Sequence, residues 1–75
     1  MGRMPVLTAK ELIKTLTKMG FKIDHQKGSH VILKHPDGRS TVVPMHAGET
    51  IDRGLLLKIV KKDLSIEREE FMRYL

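Results

Sequence analysis

Leu12, Ile13, Leu16 and Met19 recur at helical spacing near the start of the chain, which predicts a helix with one apolar side. Its ends are written in the sequence too. Thr8-Ala9-Lys10-Glu11 has the Thr-x-x-Glu spacing of a capping box, and Gly20 stands where a left-handed residue would stop the helix. Lys10, Lys14 and Lys18 fall in a single row on the polar side. From Phe21 the period changes to two. Phe21, Ile23 and His25 alternate with Lys22, Asp24 and Gln26, predicting a strand with one buried face. Gly28 interrupts the pattern, Ser29 to His35 alternates again, and Pro36-Asp37-Gly38 supplies a turn before a third strand from Arg39 to Val43 that closes at Pro44. After a loop from Met45 to Thr50, Leu55, Leu56, Ile59 and Val60 mark a second amphipathic helix with Lys58, Lys61 and Lys62 on its outer side. Ser65 suits the cap of a short third helix, with Glu67 at its positive end and with Phe71 and Leu75 folding back onto the core. The expected architecture is α+β: helix, three-stranded antiparallel sheet, helix, short C-terminal helix. Helices cover one face of the sheet and leave the other open.

With 75 residues, the chain is expected to form one domain, residues 1–75, with no room for a large cofactor pocket. It contains no Cys, so disulfides and thiolate chemistry are excluded. No apolar run is long enough to span a bilayer, and Met1-Gly2-Arg3-Met4-Pro5 lacks the apolar stretch of a signal peptide, so a cytoplasmic protein with no membrane partner is expected. The charge is uneven. Residues 1–62 hold 12 Lys and Arg against 5 acidic residues, while residues 63–75 hold 2 against 4. A basic body suits a polyanionic partner such as nucleic acid; a solvated lysine surface explains the charge as well.

Four histidines, His25, His30, His35 and His46, carry the candidate chemistry. None is spaced as a metal-ligand pair, so no metal and no other cofactor is expected. On alternating strands His25 and His35 share the face of Phe21, Ile23, Val31 and Leu33, and His30 points the other way with Lys34. Ser29 and His30 are adjacent on a strand and diverge, which excludes a Ser-His nucleophile pair. Ser29 instead offers its hydroxyl or amide to a phosphate or to the turn. His30 follows Gly28, which has no side chain to obstruct a ligand, and it is expected to be exposed. An imidazole there can take a proton from a ribose 2′-hydroxyl or give one to a departing 5′-oxygen. Lys22, Lys27 and Lys34 lie close along the first two strands, where they can stabilise charge building on a phosphate. The same pattern describes a surface histidine without a function.

Gly28-Ser29-His30-Val31 after Gly20-Phe21, then His35-Pro36-Asp37-Gly38, Val43-Pro44-Met45-His46 and Gly54-Leu55-Leu56-Leu57-Lys58-Ile59, closely resembles the HicA toxin family. Their order and spacing span nearly the whole chain. The resemblance implies a fold like the double-stranded RNA-binding domain and an mRNA interferase, an endoribonuclease that cuts RNA and blocks translation. It implies that His30, the histidine of the Gly-Ser-His motif, is catalytic, with His46 as a secondary candidate, and that a HicB antitoxin masks the site. Leu55 departs from the pattern, where a small polar residue is expected, and this bears on the start of the second helix. Two other readings fit the same residues: a non-catalytic RNA-binding module gripping phosphates through Lys10, Lys14, Lys18, Lys58, Lys61 and Lys62, and an inactive toxin-like interaction subunit.

Overall fold

Residues 4–46 and 48–75 are described by the computed structural model; Met1-Gly2-Arg3, on which the expectation of no leader partly rests, and Ala47 of the expected loop lie outside them. The first helix, α1, spans Ala9–Lys18. Both halves of its capping box form: the Glu11 amide donates to Thr8 Oγ1 at 3.1 Å and the Thr8 amide to Glu11 Oε1 at 2.8 Å. Gly20 adopts φ +102°, the Phe21 amide reaches back to the Leu16 carbonyl, and the Gly20 amide bonds Thr17. These are the two bonds of a Schellman cap. Ala9, Leu12, Thr15 and Leu16 are buried, while Lys10, Lys14 and Lys18 are exposed.

Strands β1 (Lys22–Lys27), β2 (His30–Lys34) and β3 (Ser40–Pro44) form an antiparallel meander in the order β1-β2-β3. Each hairpin depends on a glycine. Gly28 and Ser29 make a two-residue loop in which only Gly28 has positive φ, at +60°, the pattern of a type II′ turn. In the second hairpin the Gly38 amide bonds the His35 carbonyl at 2.9 Å and the His35 amide bonds the Arg39 carbonyl at 2.8 Å. Asp37 stiffens this loop by accepting from the Arg39 amide at 3.0 Å and from Arg39 Nε at 2.8 Å. The backbone bond foremost, followed by the guanidinium, holds the Asp37 carboxyl below its ordinary range, against a cost of desolvation. A carboxyl lowered by folding stabilises the native state above its unfolded pKa, and that contribution is lost as pH falls through the folded value. The difference in urea midpoint between the wild type and Asp37→Asn is therefore expected to be constant from about pH 5 to pH 8 and to shrink below about pH 4.

Helix α2 (Arg53–Lys58) starts at Asp52, whose Oδ2 accepts from the Leu55 amide at 3.1 Å. It runs on as a π-helical turn, Ile59–Asp63, in which the Leu64 amide reaches the Ile59 carbonyl at 2.8 Å. A short helix, α3 (Arg68–Met72), ends the chain. The helices pack over β3. Val31, Leu33 and Val43 thereby join Leu12, Leu16, Phe21, Leu56, Val60 and Phe71 in one core. Buried Thr41 lies on the same side and donates its hydroxyl to Asp63 Oδ2 at 2.8 Å. The layout is the expected α+β one, with one sheet face covered and the other open.

Three expectations about burial and caps fail. β1 has no buried face: all six of its residues are exposed, Ile23 at 57%, because the helical layer packs over β3 at the opposite edge of the sheet. Ser65 does not cap α3. It stands in a left-handed conformation (φ +56°) at the end of the π-helical turn, where the Ile66 amide bonds the Val60 carbonyl at 3.2 Å; its hydroxyl bonds the Lys62 carbonyl at 3.2 Å, and Glu67 occupies the cap position. Leu75 stays 47% exposed, so Phe71 alone of that pair enters the core.

Candidate functional site

Residues paired across neighbouring strands lie on the same face of a sheet, so the register assigns every side chain to a face. Val31 pairs with Val43 and Leu33 with Thr41, all four buried, which defines the covered face. The open face then carries His30 opposite Pro44, Ile32 opposite Val42, and Lys34 opposite Ser40. On β1, Lys22 pairs with Lys34 and Lys27 with His30. His30, Lys22, Lys27 and Lys34 therefore share one exposed surface, His30 at the start of β2 where the Gly28-Ser29 turn delivers it. The Ser29 carbonyl accepts from the Met45 amide at 2.6 Å, which ties this turn to the end of β3. A Cβ added at Gly28 would meet nothing within 4 Å, so the glycine serves the positive φ of the turn rather than close approach of a neighbour.

His25 is on the other face from the one its spacing predicts. The pairing passes from Ile23 with Leu33 directly to His25 with Ile32, so Asp24 is an extra residue, a β-bulge. That insertion turns His25 onto the open face, beside His30 and the lysines. Asp24 Oδ2 lies 2.7 Å from His25 Nδ1 and 3.7 Å from Lys34 Nζ. The hydrogen bond from His25, then the charge of Lys34, holds the Asp24 carboxyl below its ordinary range. Nothing in the spacing of Ile23-Asp24-His25 marks the bulge. An acidic residue next to a histidine was the only signal in the sequence.

The other two histidines go elsewhere. His35 is half-buried behind the sheet's end: Nε2 is 3.2 Å from the Met19 carbonyl, Nδ1 accepts from the Asp37 amide at 3.1 Å, and its ring meets Phe21 edge to face at 5.0 Å. The Asp37 carboxylate also lies beside the ring, with Oδ1 3.0 Å from Nδ1. His35 thus fastens the β2–β3 turn to the end of α1, where a Cβ at Gly20 would stand 2.9 Å from Nε2. Arg39 completes this corner, stacked 5.3 Å over the Phe21 ring and donating to the Leu64 carbonyl at 2.6 Å. His46 is exposed and lines a groove of about 340 Å³ with Thr8, Lys10 and Glu49 at the start of α1, a groove that His30 does not line. Among the described residues no three of His, Asp and Glu come together so as to hold a metal ion, and no helix is long and apolar enough to cross a membrane.

A sheet covered by helices on one side, in the order helix, three strands, helix, short helix, defines a small α+β domain with a fold like that of the double-stranded RNA-binding domain. The model of the family described as "HicA toxin of bacterial toxin-antitoxin" matches residues 9–66. The chain belongs to that family, whose members work within a toxin-antitoxin pairing. Among curated proteins it has no match.

Proposed function

We propose that this chain is an mRNA interferase, an endoribonuclease toxin that cuts RNA and blocks translation, with residues 1–75 acting as one domain in the cytoplasm. The observation that carries the reading is the register: it sets His30 among Lys22, Lys27 and Lys34 on the uncovered face. Lys22 stands directly across from Lys34, a like-charged pair that costs stability in the isolated protein and is relieved by a bound polyanion. His30 moves the proton at the ribose 2′-oxygen or the 5′-oxygen, and the three lysines, with the Gly28-Ser29 turn, hold the phosphate. His46 is kept as a secondary catalytic candidate in the adjoining groove. Histidine acid–base chemistry of this kind needs no metal or other cofactor. The proposed protein partner is a HicB-like antitoxin, which would cover the same surface; half-exposed Val42 and its cross-strand partner Ile32 give it an apolar centre with a lysine rim.

The test is incubation of the purified protein with an RNA oligonucleotide and with its DNA and 2′-methoxy counterparts, with and without chelator. Cleavage of the RNA alone, indifferent to chelator and leaving a cyclic phosphate end, is the expected result. Cleavage of DNA would overturn the 2′-hydroxyl chemistry, and loss of activity in chelator would overturn the metal-free mechanism. Tight binding without cleavage would establish the non-catalytic RNA-binding module instead.

A further inference from the structure

Cutting RNA through the 2′-hydroxyl needs two proton transfers, one away from the attacking oxygen and one to the leaving oxygen, and His30 supplies one. We infer that His25, oriented by Asp24, performs the other, so that the two histidines work as a pair across the first hairpin. This inference rests on the nuclease reading above.

The geometry comes from the bulge. His25 is paired with Ile32, and His30 lies two residues before Ile32 on the same strand and the same face. Diagonal neighbours of this kind are about 7–8 Å apart, close enough for two imidazoles to converge on one group between them. A phosphodiester presents its 2′- and 5′-oxygens on opposite sides of phosphorus, and each ring must come within a hydrogen bond of about 2.7–3.0 Å of its own oxygen. With Asp24 Oδ2 2.7 Å from Nδ1, the proton on that nitrogen is engaged and Nε2 is left to exchange one with substrate. A lowered Asp24 carboxyl keeps this partner anionic wherever a histidine titrates. The side chain of His25 is 56% exposed on an edge strand, so it is accessible to a large substrate.

One imidazole takes the proton from the 2′-hydroxyl as that oxygen bonds to phosphorus. The P–O5′ bond breaks, and the other imidazolium delivers its proton to the departing 5′-oxygen. The products are a 2′,3′-cyclic phosphate and a 5′-hydroxyl. Each histidine ends in the protonation state the other began in, and exchange with water resets them. The charged groups facing His25 are Asp24, Lys22 and Lys27 on its own strand and His30 and Lys34 on β2.

The experiment compares the wild type, His25→Ala, Asp24→Asn and His30→Ala on one RNA, recording kcat, Kd for RNA and the pH–rate profile. His25→Ala is expected to lose about 10²–10⁴-fold in kcat, to keep its Kd within a few fold, and to replace a bell-shaped profile by a single limb. Asp24→Asn, a change at a positioning residue, is expected to shift that same limb and to leave the far-ultraviolet circular dichroism unchanged. The inference is overturned if His25→Ala keeps both limbs, or if its whole defect lies in Kd. A wild type that cuts and a His30→Ala that does not, alongside a fully active His25→Ala, would sink His25 and leave the nuclease standing. A wild type that binds RNA without cutting would sink both.

Discussion

His30→Ala is expected to lose RNA cleavage by about 10²–10⁴-fold, below detection for a slow enzyme, while folding and RNA binding persist. The expectation rests on where the side chain stands. His30 is exposed at the first position of β2, its cross-strand neighbours are Lys27 and Pro44, and it takes no part in the core. Truncating a surface side chain of this kind changes stability by only about 0.5 kcal/mol. Phosphate contacts from Lys22, Lys27 and Lys34 are untouched, so the salt dependence of RNA binding should match that of the wild type. Gel analysis of a defined RNA, circular dichroism and binding titrations at several salt concentrations make the comparison. A variant that cuts at the wild-type rate would remove His30 from the mechanism.

The second large effect is on folding. Phe71→Ala is expected to destabilise the chain by about 3–5 kcal/mol. A domain of this size has only about 4–11 kcal/mol in total, so the variant should be substantially unfolded at moderate temperature. Phe71 is fully buried on α3, although α3 lies past residue 66, where the family match ends. The last helix is thus structural, held against the π-helical turn and fastened outside by Lys61 Nζ to Glu67 Oε1 at 3.2 Å. Leu75→Ala, at a half-exposed position, should cost far less. Urea titration of both variants distinguishes a core element from a loose tail. Equal, small losses would show that α3 does not hold the domain together.

What could be read from the sequence was what is decided over a few residues. Thr8 and Glu11 form a capping box through bonds three residues apart, Gly20 ends α1 through bonds three and five residues long, and Pro36-Asp37-Gly38 closes its own hairpin. The helix order and the lysine row of α1 follow from periodicity over ten residues. What could not be read depends on distant parts of the chain. Ile23 alternates like a buried residue, yet the layer that would bury it packs over β3. His35 looks like a member of a chemical motif, and its partners Met19 and Phe21 show a fastening. The left-handed Ser65 stands just past a π-helical turn that no residue type announces.

The face of His25 turned on Asp24 alone. Assigning a strand residue to one side of a sheet is a parity count, and one uncounted residue inverts everything beyond it. Here the face of the histidine is set by its pairing with Ile32, and the bulge at Asp24 absorbs the mismatch with Ile23. A chain lacking Asp24 would place Ile23 directly before His25, opposite Leu33 and Ile32, and keep the histidine on the open face without the bulge; a chain in which Asp24 paired with Ile32 would turn it to the opposite side. In this hairpin, chemistry is set by cross-strand pairing as much as by composition.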